Sequence, residues 1–417
     1  MSNKQSLWIS LSLINLCIVA LLGFILRSKI LFSLPFINYR NFLSAHSHFA
    51  FSGWAGLGLI TLLIYGILPQ NLSDKKIYQW LLVGFEVSSL GMVFTFPFEG
   101  YAFLSIFFSS FYIFVAFVFA AVFIKDILKI NLDKSIKLLT ISAISSLIIS
   151  FIGPLGLVYI LISKSADSIL YRDSVYIFLH FQYNGFFTLS VFALFLNRLI
   201  KKNILIQKRR SFAAFLCLSI IPSLFLALLW HNSLLFYILA AIGCVLILIT
   251  LSYFFSFAFK VLKTEIFLYP LARTLCLFSF LSFSVKMLLQ TGTIFPQLGN
   301  AVYGDRPVII GFLHLVFLGF LTFYILSSLI EDNYFSRDRK LIVYPFYFFS
   351  FAIIFNETIL MLQGLGILFK TNSTIFNWFL WIAAILLFSG ATLIMIARSE
   401  AVSYKKRKDI KSFMSKP

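Results

Sequence analysis

Long apolar runs separated by short polar breaks follow one another along the whole chain. A run of about 20 mostly apolar residues is what a helix needs to cross the hydrocarbon of a bilayer. Twelve such spans are predicted, at 6–27, 43–69, 77–97, 101–124, 138–163, 174–197, 211–230, 233–259, 266–291, 307–330, 342–369 and 373–397. The breaks leave no room for a soluble domain of any size. Residues 1–417 therefore read as one all-α transmembrane domain, with a basic tail at 399–417. The first run starts within eight residues of Met1, is too long for a signal-peptide core and lacks a small-residue cleavage site, so it reads as a retained helix.

Composition agrees with this pattern. Of the 417 residues, 60% are hydrophobic, 12% are charged and 53 are Phe. Soluble domains carry about 25% charged residues, which excludes a disordered chain, a disulfide scaffold and an ordinary soluble enzyme. The net charge of +19 comes from 34 Lys and Arg against 15 Asp and Glu. On the predicted topology 26 of the basic residues fall on the segments that share a side with both termini. Seven fall on the other side: Arg27, Lys29, Arg40, Lys164, Arg172, Arg306 and Lys370; Lys286 alone lies within a span. By the positive-inside rule both termini are expected in the cytoplasm. The basic excess thus reads as an orientation device, with the lipid bilayer as partner and no nucleic acid.

Cys17, Cys217, Cys244 and Cys276 all fall inside spans, as small buried hydrophobes do. There is no C-x-x-C-H run for covalent haem attachment, no phosphate-binding loop and no strong internal repetition.

The histidines change the picture. Only five exist: His46, His48, His180, His231 and His314. At a rise of about 1.5 Å per residue, all five fall in the outer third of the membrane, on spans 2, 6, 7 and 10. A polar ring in hydrocarbon needs a partner. Imidazoles gathered in one layer suit iron, copper or zinc, and axial His pairs from two helices are a way of holding haem. Glu86 and Glu357 are intramembrane acids, readable as a proton path or as bonded structural carboxyls. Trp54 and Trp230 flank candidate ligands.

The local sequences resemble the catalytic subunit of haem-copper oxidases and nitric oxide reductases, and NnrS-type haem membrane proteins. Ala45-His46-Ser47-His48-Phe49-Ala50-Phe51-Ser52-Gly53-Trp54 resembles the family's second helix, where a His is an axial ligand of low-spin haem. His314-Leu315-Val316-Phe317-Leu318-Gly319 resembles the end of the helix 10 motif, which implies that His314 is the other axial ligand. His180-Phe181-Gln182-Tyr183-Asn184-Gly185 resembles the reductases' H-x-x-x-E-G, and Trp230-His231-Asn232 their paired metal-binding His. There are departures. Phe312 stands at the family's high-spin haem ligand, Asn232 at the second His of the pair, and Asn184 at the reductase Glu.

The resemblance implies an oxidase-I-like bundle carrying low-spin, bis-His haem b on His46 or His48 and His314, without an orthodox oxygen-reducing centre. Its anionic propionates would lie near Arg40 and Arg306, with Arg172 and Lys286 as further candidates. A residual copper or zinc site on His180 and His231, with Tyr183, is a further expectation. The implied setting is a bacterial inner membrane, with an electron-transfer partner or second subunit, in electron transfer or nitric oxide handling. A twelve-helix transporter with a shallow His-lined site is the alternative.

Overall fold

The computed structural model describes residues 3–204, 206–263, 266–335, 340–371 and 373–414. Of the basic residues sorted above, Arg337, Arg339 and Lys416 lie outside the described residues, as do the side chains of Lys260, Lys263, Lys340 and the tail from Lys405.

Twelve helices are long and apolar enough to cross a membrane: α1 (Asn3–Leu31), α2 (Tyr39–Ile67), α3 (Lys76–Glu99), α4 (Phe103–Lys129), α5 (Lys134–Ser163), α6 (Ser168–Lys201), α7 (Arg209–Ala227), α8 (Leu234–Ala258), α9 (Pro270–Gly292), α10 (Arg306–Glu331), α11 (Val343–Leu368) and α12 (Ile375–Tyr404). No strand forms among the described residues. The predicted spans match these helices one for one, and the chain is a membrane protein whose exposed apolar side chains, such as Phe98, Ile162 and Leu234, face lipid. Two ends differ in a way that matters below. The first helix runs a turn beyond residue 27, and the second starts a turn before residue 43.

The helices pack in three arcs of four. In each arc the first helix lies along the second (α1 on α2, α5 on α6, α9 on α10) and the third lies along the fourth. Neighbouring arcs join through α4 and α5, α8 and α9, and α12 and α1, so the ring closes. The second helices face inward, where α2 touches both α6 and α10. Between apolar helices in lipid the attraction is van der Waals packing, so close approach counts. At Gly243 of α8 a Cβ would stand 2.7 Å from the Ser223 Cα of α7, which only glycine permits.

Each inward helix is interrupted by a wide π-helical segment: Ala50–Gly56 in α2, Phe181–Phe187 in α6 and Leu315–Thr322 in α10. A π turn releases a backbone carbonyl from the regular ladder, and in hydrocarbon that carbonyl needs a donor. Side chains supply it. Asn15 Nδ2 donates to Gly53 O at 2.9 Å, Thr188 Oγ1 to Tyr183 O at 2.5 Å, and Ser279 Oγ to Phe320 O at 2.7 Å.

The three segments also share a pattern, H-[FL]-x-[FY]-x-G, at 48–53, 180–185 and 314–319. Internal repetition, not found by reading the sequence alone, is therefore present at the level of four-helix units.

Candidate functional site

α1, α2, α10, α11 and α12 enclose a cleft of about 1240 Å³, open mouth included, on the side of the bundle away from the N-terminus. Its walls are apolar, with Phe51 and Phe317 packed ring to ring at 4.4 Å between centroids. Polar groups are few: His46, His314, Arg27, Tyr39, Ser47 and Asn356. Large apolar pockets with a small number of placed polar groups are the usual form of a cofactor site.

Backbone carbonyls fix the chemistry of the two imidazoles. Val19 O lies 3.0 Å from His46 Nδ1, and Ile310 O lies 2.8 Å from His314 Nδ1. A carbonyl only accepts, so each Nδ1 carries the proton and each Nε2 keeps its lone pair. No hydrogen bond from a described residue engages either Nε2. A carbonyl that accepts from Nδ1 fixes the tautomer and the ring orientation, as it does for His in metal sites. Gly23 of α1 makes room for it, since a Cβ there would stand 3.3 Å from His46 Cε1.

Deeper in the bundle, Trp54 is 2% exposed and donates from Nε1 to Thr322 Oγ1 at 3.0 Å, tying α2 to α10. Arg27 and Tyr39 line the same cleft, and Arg27 forms no ion pair among the described residues. Tyr39 lies in the turn that precedes the predicted second span, and Arg27 is the last residue of the predicted first span.

His48 points elsewhere. Its Nδ1 donates to Ser44 O at 2.9 Å, its ring packs on Phe96 at 4.5 Å, and Tyr101 Oη approaches its Nε2 at 3.4 Å. Although His48 is the residue that follows the repeated pattern, it does not line the cleft. Arg40 and Arg306 are exposed and do not line it either.

The second histidine group is arranged differently. His180 is fully buried; its Nε2 donates to Ile220 O at 2.8 Å and its Nδ1 accepts from Asn184 Nδ2 at 3.0 Å. Asn184 Oδ1 in turn accepts from Lys286 Nζ, whose ammonium lies 5.5 Å from the Tyr183 ring centre. Lys286 is fully buried, far from a propionate role. His231 pairs instead with Asp173, at 2.9 Å, and sits in a separate turn after α7 has ended. Trp230 Nε1 donates to Asp173 at 3.1 Å, and Arg172 lies over the Trp230 ring at 5.2 Å.

The two imidazoles thus serve different partners. Among the described residues no group of three or more His, Cys, Asp or Glu side chains converges on a metal position. The donor set around His180 does not fit a copper ion, because neither ring nitrogen has a free lone pair.

Phe312 packs edge-on against Tyr183 at 5.5 Å. The intramembrane acids are bonded: Glu86 accepts from Asn15 at 2.8 Å, and Glu357 from Asn356 at 3.0 Å.

The chain is similar in fold to a solved haem-copper terminal oxidase dimer determined by cryo-EM. The TM-score is 0.69 at 13% sequence identity, and the match covers 96% of this chain and 84% of that one. No family profile matches the sequence, and no curated protein matches it. The architecture is that of an oxidase-like twelve-helix bundle.

Proposed function

We propose that this chain is a membrane haem b protein that holds one low-spin haem between His46 of α2 and His314 of α10. The observation that carries the reading is that both imidazoles line one apolar cleft with Nδ1 bonded to a carbonyl and Nε2 left free. The residues fit the group. Two neutral His from different helices suit bis-His iron, the walls suit a flat apolar macrocycle, and Gly23 provides the gap in which the His46 ring stands. Bound haem supplies one-electron chemistry. The chain's own part is to orient the two imidazoles, to exclude water with Phe51, Phe317 and Trp54, and to set positive charge at the mouth with Arg27. Arg27 and Tyr39 are the propionate partners in this reading, in place of Arg40 and Arg306.

The role is electron transfer or the handling of a small gas such as nitric oxide, without an orthodox oxygen-reducing centre. Support comes from Phe312 at the high-spin ligand position and from the closed hydrogen-bond network of His180. The setting is a bacterial inner membrane, with both termini cytoplasmic and a separate electron donor or acceptor. The test is iron analysis with a reduced-minus-oxidised spectrum of the purified protein. About one iron per chain, and a b-type spectrum lost in His46→Ala and in His314→Ala, is expected. Iron-free protein expressed with haem available, or a spectrum that survives both changes, contradicts it.

A further inference from the structure

A second large cavity, about 1160 Å³ with its mouth, lies at the opposite end of the bundle, where α2, α6 and α10 finish beside the N-terminal residue Gln5. It shares no residue with the haem cleft. Its polar lining combines three cations of α6 and the residue after it, Arg198, Lys201 and Lys202, with Glu331 and Asp332.

Hydrogen-bonding capacity is unevenly used there. The acid Glu331 is well satisfied, accepting from Lys202 Nζ at 2.7 Å and from the Leu268 backbone N–H at 3.1 Å on both oxygens. The donors are not. Arg198 has five N–H groups and makes one bond, to Asp332 at 3.0 Å. Lys201 has three and makes one, to Gly66 O at 2.7 Å, a carbonyl that Asn197 Nδ2 already serves at 2.8 Å. Tyr334 lines the cavity at 1% exposure, and its hydroxyl has no hydrogen-bond partner among the described residues. A buried hydroxyl without a partner costs about 1–3 kcal/mol. The ring is held by Arg398, which donates to the Tyr334 carbonyl and lies 5.3 Å from the ring centre.

We propose that this cavity binds an oxyanion, the phosphate group of a small soluble organic phosphate. The spare groups of Arg198 and Lys201 can only donate and the Tyr334 hydroxyl is able to donate, so an acceptor suits all three. Its charge is negative, because three cations face two acids. Arginine's fork matches phosphate geometry. The space exceeds a bare phosphate, and Leu62, Leu194 and the Tyr65 ring offer the remainder an apolar surface. A phospholipid headgroup has the same chemistry. The cavity, however, is lined chiefly by the ends of the inward helices α2, α6 and α10, which favours the soluble source.

The experiment uses the full chain in phosphatidylcholine nanodiscs, with thermal unfolding followed against inorganic phosphate and against chloride at equal ionic strength. Phosphate is expected to raise the midpoint by about 1–3 °C beyond chloride. Tyr334→Phe, which removes only the hydroxyl, should weaken the apparent affinity by about threefold to tenfold, and Lys201→Gln by about tenfold. A wild-type response to phosphate no larger than that to chloride overturns the proposal, as does an equal response in all three proteins. A second set of nanodiscs contains phosphatidylglycerol. Stabilisation seen only there, and lost in Lys201→Gln, assigns the oxyanion to lipid and overturns the soluble source.

Discussion

α6 and α10 begin from the same local pattern and end in opposite chemistry. Both carry His followed by a π-helical segment and a Gly five residues on, and both His stand in the first half of an inward helix. Yet His314 keeps a free Nε2 on an open cleft, whereas His180 has spent both nitrogens, on Ile220 O and on Asn184, with Lys286 behind. The difference comes from the neighbouring elements. His314 finds its carbonyl on its own helix, four residues back, so the outer nitrogen faces whatever lies across the cleft. His180 finds its carbonyl on α7 and its second partner on its own next turn, so nothing remains to bind. A sequence pattern fixes where an imidazole stands; the helix opposite decides what it can do.

The largest effect that would break this contrast is on haem content. His314→Ala and His46→Ala should each lower haem occupancy by at least about tenfold, whereas His180→Ala and His48→Ala should leave it near wild type, as pyridine haemochrome assay would read. Next in size is Gly23→Val. Packing a branched side chain against the His46 ring costs about 1–3 kcal/mol and should lower haem affinity by about tenfold in a transfer titration. Arg27→Leu removes a positive charge from the cleft and should reduce affinity by about threefold and shift the midpoint potential. The smallest effect on haem belongs to Lys286→Met. Occupancy should be unchanged, while the unpaired Asn184 oxygen lowers thermal stability by about 1–3 kcal/mol. Haem loss in Lys286→Met would mean that the two histidine groups act together, and the contrast would fail.

Much of the fold was legible in the sequence, because span length and loop charge depend on composition over many residues and tolerate errors at the ends. The site was less legible for that same reason. Arg27 and Tyr39 lie at helix ends, where an apolar run gives no sign of what a side chain faces, although both line the cleft. His46 and His48 are two residues apart, about 200° around a regular helix, and only packing against Val19 on one side and Phe96 on the other separates their roles. The role of Lys286 depended on a partner 102 residues away, which no spacing rule reveals. The recurrence of H-[FL]-x-[FY]-x-G in helices 2, 6 and 10 is the sequence signal that marks the three inward helices.

The assignment of the ligand pair is tested most directly by low-temperature electron paramagnetic resonance of the oxidised protein, comparing wild type with His46→Ala and His48→Ala. A low-spin bis-imidazole ferric signal is expected in wild type and in His48→Ala, with its loss in His46→Ala. A signal that survives His46→Ala and disappears in His48→Ala would contradict it.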